Sequence, residues 1–153
     1  MPIRFIALDT DEVRALQAGG TDANGQVPER RAAAGGEPCR HCLQPMAAGE
    51  EMLILAHRPF PAPQPYAEIG PIFMHARACT RGGGAGLPAF LRSPHYILRG
   101  YGADDRIVYG TGAVIPTPAI PGRAEDLLAD PRVAYCHVRS ATNNCFHCRI
   151  ERA

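Results

Sequence analysis

Apolar residues along this chain fall into short runs separated by Gly, Pro, Asp and Asn, a pattern that favours strands joined by turns over long helices. Strand-like runs rich in Tyr, Val, Ile and Phe occupy residues 3–8, 51–57, 71–76, 95–101, 106–115, 133–139 and 145–151. The four residues 102–105 (Gly-Ala-Asp-Asp) read as the loop of a hairpin joining 96–101 to 106–114. Helical spacing is confined to residues 9–17, where Asp9 or Thr10 can cap and Asp11 and Glu12 occupy the first turn, and to residues 124–129. One further helical turn is expected over 87–92, behind Pro88. Strands outnumber helices, and the alternating strand and helix rhythm of a parallel sheet is missing. The expectation is a single α+β domain spanning 1–153, built on a mostly antiparallel sheet, barrel-like in one form, with two or three short helices.

Three segments depart from this pattern. Residues 19–37 are Gly, Ala, Asn, Arg and Pro without apolar periodicity and read as an irregular or mobile surface segment. Pro59, Pro61, Pro63 and Pro65 alternate through 58–66, forcing an extended backbone poor in donors, at a spacing of two that contains no P-x-x-P pattern. Residues 82–86 (Gly-Gly-Gly-Ala-Gly) lack the Lys-Ser/Thr of a phosphate-binding loop and read as a flexible loop.

Composition narrows the classes of function. The formal charge is +1 over 153 residues, so no general field attracts nucleic acid or an anionic membrane. No apolar run approaches the roughly eighteen residues needed to span a bilayer, and residues 1–13 lack the apolar stretch of a signal peptide, so a soluble cytoplasmic protein is expected. Every counted cation is Arg, scattered along the chain, and the absence of Lys excludes a Schiff-base or Walker lysine.

Six cysteines, in a compartment where thiols stay reduced, set metal binding against plain burial. Cys39-Arg40-His41-Cys42 is followed, after thirty-two residues, by His75-Ala-Arg-Ala-Cys79. A C-x-x-C turn directs two thiolates at one ion about 2.3 Å away, and H-x-x-x-C supplies two further donors. Cys39, Cys42, His75 and Cys79 therefore form a candidate zinc set. Four filled positions leave none open, so such a zinc would be structural; reduced, unligated thiols are the alternative. Leu43 follows the second Cys, where metal knuckles commonly place Gly. In the second pair, a strand over 145–151 would turn Cys145 and Cys148 to opposite faces, and Cys136 and Cys148 read as core residues, with Cys145 the freer thiol.

Strand parity also places Arg99 and Tyr101 on one side of their strand, and His137 and Arg139 on one side of another, with core-like residues opposite. A polar sheet face bearing Arg99, Tyr101, His137 and Arg139 would suit a small anionic ligand, a carboxylate or phosphate, with Glu68, Asn143 and Asn144 as neighbours; ordinary solvent-facing residues of a one-sided sheet are the alternative. Two rival readings are an enzyme using His137 as acid or base with Arg99 and Arg139 as anion clamps, and an interaction module using 58–66 and 82–86. No nucleophile triad, metalloprotease or dinucleotide motif supports catalysis.

Pro38-Cys39-Arg40-His41-Cys42-Leu43, Pro65-Tyr66-Ala67-Glu68 with Gly70-Pro71-Ile72-Phe73, Arg99-Gly100-Tyr101 through Ile107-Val108-Tyr109-Gly110-Thr111-Gly112, and His137-Val138-Arg139-Ser140-Ala141 together resemble domain-of-unknown-function family 1203. The resemblance covers nearly the whole chain. It implies a bacterial source and a compact single-domain fold, and no activity or site residue.

Overall fold

The computed structural model describes residues 2–153 and holds nine strands in two antiparallel sheets, with two α-helices. In chain order these are β1 (Ile3–Ile6), α1 (Thr10–Gln17), β2 (Glu29–Ala32), β3 (Glu51–His57), β4 (Gly70–His75), β5 (Gly83–Gly84), β6 (His95–Tyr101), β7 (Ala113–Pro116), α2 (Ile120–Leu128), β8 (Tyr135–Ser140) and β9 (Phe146–Arg152). The large sheet has the order β5-β1-β9-β8-β6-β7 and the small one β2-β3-β4. The α+β class and the antiparallel pairing are as expected. Closure into a barrel is not: both sheets keep free edges.

Each helix forms where local chemistry starts it. Asp9 caps α1, its Oδ2 accepting from the backbone N–H groups of Asp11 and Glu12, and Val13 and Leu16 are buried at helical spacing. Helix α2 begins four residues before the expected 124, because its prolines stand where a helix tolerates them, in the first turn and the preceding 3₁₀ turn (Thr117–Ala119). It buries Ile120, Ala124, Leu127 and Leu128 against Leu98, Cys136, Val138, Cys148 and Ile150 of the large sheet. Each fully buried aliphatic side chain there stabilises the fold by about 1.5–3 kcal/mol. The segment behind Pro88 forms a turn rather than a helix, Leu91 N–H donating to the Pro88 carbonyl.

Four expectations need revision. Residues 19–37 are not wholly irregular, since Glu29–Ala32 pairs along β3 as an exposed edge strand. The stretch 106–115 is not one strand: Tyr101 bridges to Ile107 and Leu98 pairs with Ala113, so three steps along β6 face six on the partner. Thr111 Oγ1 fills that bulge, accepting from Gly100 N–H at 3.0 Å. The glycine run at 82–86 is a built element, β5, paired with β1. A Cβ on Gly82 would stand 2.1 Å from the Cys42 carbonyl oxygen, and Gly83 has φ +113° with its Cβ direction 2.5 Å from the Phe5 oxygen, so no larger residue fits. Lastly, the register between β8 and β9 slips at Val138/Arg139, where Arg139 pairs with Phe146 and Val138 with Cys148. His147 is the extra residue, and Phe146 turns away from the face of Cys148 and Ile150 that plain alternation assigns it.

The second face of the large sheet is covered. The small sheet, α1 and the Pro-rich segment 58–66 lie over it, with His57 against Phe146 (ring centroids 5.5 Å) and Phe60 against Tyr101 and His137 (5.3 and 5.2 Å). This layer decides what the polar residues beneath it can do.

Candidate functional site

Cys39 and Cys42 lie on a tight turn after Pro38, which bridges to Pro45. Leu43 N–H donates to the Cys39 carbonyl, and Leu43 takes φ +59°, the left-handed conformation for which Gly is the usual residue. Leu43 bears that conformation because its side chain is buried in the main core. His75 ends β4 and Cys79 lies four residues beyond. Helix α1 holds this end of the chain: Arg14 Nη2 donates to the Cys79 carbonyl at 2.8 Å, and Gln17 Nε2 donates to the carbonyls of His75 and Arg77.

The four expected donors converge. One donor atom from each of Cys39, Cys42, His75 and Cys79 lies within 4.8 Å of the others. Cys39 and Cys79 sulfurs are 4.0 Å apart, and Cys42 Sγ is 3.5 Å from His75 Nδ1. Ligands at about 2.3 Å from a tetrahedral ion stand about 3.8 Å from one another, so these separations match tetrahedral edges. A disulfide would need sulfurs at about 2.05 Å, and all six cysteines are free.

Charge points the same way. A hydrogen bond from Cys42 and backbone N–H groups, including that of His75 at 3.3 Å, hold the Cys39 thiol down at about 4. That thiolate in turn pushes Cys42 upward through their hydrogen bond, and burial together with the Cys39 charge pushes Cys79 up to about 11. Three sulfurs this close cannot all ionise unless a cation lies among them.

Two supporting residues were missed by spacing alone. Glu50 Oε2 lies 3.2 Å from His75 Nε2 and accepts from Arg77 Nη2 at 2.6 Å, so a carboxylate backs the imidazole whose Nδ1 faces the sulfurs. This is the arrangement that orients metal-binding histidines. His41, inside the C-x-x-C, places Nδ1 3.0 Å from Cys79 Sγ and Nε2 3.0 Å from Thr10 Oγ1. Only its position between the two cysteines could have drawn notice.

The second expected site is arranged differently. Tyr101, His137 and Arg139 are 1%, 0% and 1% exposed, so the face read as solvated is interior. Arg139 forms an ion pair with Glu68 and donates from Nη2 to His137 Nδ1 at 2.9 Å and from Nη1 to the Asn144 carbonyl at 3.3 Å. Glu68 and Asn144 thus occupy Arg139 instead of extending a ligand-binding face. Arg99 instead donates to the Tyr101 hydroxyl at 2.9 Å and lies over that ring. The four residues do not open onto one surface, and Arg139, already committed, is no free anion clamp. Burial holds the His137 pKa well below its ordinary value, with Arg139, Arg149 and Arg99 adding to the effect. A neutral imidazole that resists protonation is poorly suited to act as a base.

The second cysteine pair does not converge. Cys136 and Cys148 are buried in the core beneath α2, while Cys145 is half-buried beside the Asn143–Asn144 turn.

Fold and site define a two-sheet α+β domain carrying a cluster of three cysteines and one histidine at metal-binding separations. The family model described as protein of unknown function (DUF1203) matches residues 36–152, and the chain belongs to that family. The matched span contains all four donors of the cluster and the Glu68–Arg139–His137 network. No curated protein and no solved structure matches the chain. No helix among the described residues is long and apolar enough to cross a membrane.

Proposed function

We propose that Cys39, Cys42, His75 and Cys79 hold one structural zinc ion, and that the chain it stabilises is a small-molecule binding scaffold. The observation that carries the metal is the mutual approach of the four donor atoms to within 4.8 Å. Four protein donors complete the coordination shell, so the ion would tie the turn at 39–42 to the end of β4 rather than activate water. A cytoplasmic setting, where thiols stay reduced, suits six free cysteines.

The expected partner, a small anionic ligand, belongs to this reading, with one change of place. Of Arg99, Tyr101, His137 and Arg139, only His137 lines the large cavity between the layers. Elemental analysis of protein purified without added metal tests the first half: about one zinc per chain is expected, lost in Cys42→Ala together with a lower thermal midpoint. Metal-free protein that takes up no zinc and melts at the same temperature would refute it.

A further inference from the structure

Between the two layers lies a cavity of about 640 Å³, within the range of sites for small organic ligands. Its floor is the covered face of the large sheet, with His137, Phe146 and Arg149, and its roof includes Glu12 of α1, His57 at the end of β3, and Phe60. Phe146 is there only because of the bulge at His147.

The polar groups of this cavity differ in how much bonding capacity they have left. Asp9 is occupied as the α1 cap, and Asp22 accepts from the backbone N–H groups of Asn24, Gln26 and Ala56. His137 is different. A guanidinium can only donate, so His137 Nδ1 accepts from Arg139 and the neutral ring carries its hydrogen on Nε2. That Nε2–H is a buried donor with no acceptor among the described residues. Arg149 donates through Nε to Glu151 and stacks on Tyr135 at 3.7 Å, and its two Nη groups make no hydrogen bond among the described residues. The floor therefore offers donors without acceptors, between apolar walls.

We propose that this cavity binds a small organic monoacid, its carboxylate taken by His137 Nε2–H and the Nη groups of Arg149, and its apolar body set against Phe60, Phe146 and Leu55. Arg149 is ion-paired through Nε with Glu151, and Arg58, which also lines the cavity, spends Nε and Nη2 on the Phe60 and Pro61 carbonyls. The free Nη groups of Arg149 therefore offer a planar fork that fits one carboxylate, with little positive charge to spare for a second. Glu12 on the roof, 4.0 Å from His57 Nδ1, disfavours a second carboxylate or a dianionic phosphate. The proposal rests on the reading of the chain as a binding scaffold and is independent of the zinc.

The test is calorimetric and NMR titration of the full metal-loaded chain with hexanoate and benzoate, with hexanamide and benzamide, and with inorganic phosphate. Saturable binding of the acids is expected, with shifts at Phe60 and Phe146 and about tenfold weaker binding of the amides. Arg149→Gln, at a partly exposed side chain, should weaken the acids about tenfold, leave the amides unchanged and retain the zinc. His137→Phe should weaken the acids as well, and Arg149→Gln keeps the proposal open to refutation if that variant fails to fold. Acids and amides binding alike, or phosphate binding more tightly than either acid, would overturn the monoacid and leave the scaffold reading standing. No saturable binding of any probe would overturn both, and a metal-free protein that still binds the acids would overturn only the zinc.

Discussion

The small sheet and the large sheet each bury a cluster of polar groups, and the two clusters solve the problem of burial in opposite ways. At the end of β4, three sulfurs and an imidazole face one another, all potential donors of electron pairs, with Glu50 behind them. On β8, the Arg139 guanidinium is surrounded by acceptors: the Glu68 carboxylate, His137 Nδ1 and the Asn144 carbonyl. The charge of the second cluster is neutralised by the protein itself, through Glu68. The first is neutralised only by a cation from outside. A buried polar cluster thus reports a missing charge when its members share one chemical sense, and at most single missing hydrogen bonds, here at His137 Nε2 and Arg139 Nε, when they are complementary.

The largest effect expected from this contrast is at the sulfurs. Cys39→Ser should abolish zinc binding and lower stability by about 4 kcal/mol, the contribution of an ion present at a thousand times its Kd. The midpoint measured by calorimetry should then fall by roughly 10 °C. An unchanged midpoint would erase the distinction between the clusters.

Acid tests the interior on both sheets, at His57 on β3 and His147 on β9. Burial holds His57 at about 4 and His147 at about 3. Both are depressed below the ordinary value of about 6.5, so the unfolded chain binds more protons, and stability is lost as pH falls from about 6.5 toward 3–4. His57 alone corresponds to about 3 kcal/mol across that window. Urea unfolding of His57→Gln against the parent chain, with zinc content followed in parallel, should show a shallower loss from pH 6.5 to 4; identical slopes would contradict the burial argument.

Glu68→Gln should cost about 2 kcal/mol, less than the 3–5 of a fully buried pair because the Glu68 side chain is 42% exposed while that of Arg139 is 2% exposed. Denaturant midpoints measure it, and zinc stoichiometry should not change. The smallest effect is expected at Glu50→Gln. The metal donors remain, so folding in excess zinc should be nearly unaltered, but competition with a chelator should show zinc held about tenfold more weakly.

Local spacing carried a good deal of this. The strands at 51–57 and 70–75 and the cap at Asp9 follow from residue pattern over a few positions, and so does the pair of sulfurs on one turn. His147 and Phe146 show where such reasoning stops. A single extra residue in β9 reverses which faces they take, and that bulge is settled by pairing with β8 rather than by any residue of the segment itself. Arg99, Tyr101, His137 and Arg139 were grouped by parity on their strands, but Tyr101, His137 and Arg139 were wrongly given to solvent, and Arg99 is half-buried. Parity names two faces without saying what lies over either.

By itself the sequence determined the class of fold, most strand positions and the identity of four metal-competent donors, because helix caps, turns and alternation act over a handful of residues. The tertiary structure alone decided that His75 and Cys79 reach the turn at 39–42 across a thirty-two-residue interval, that the second face of the large sheet is interior, and that a cavity remains beneath Phe60. Those outcomes depend on the packing of one layer on another, where contacts between distant segments set the geometry and no short-range preference encodes it.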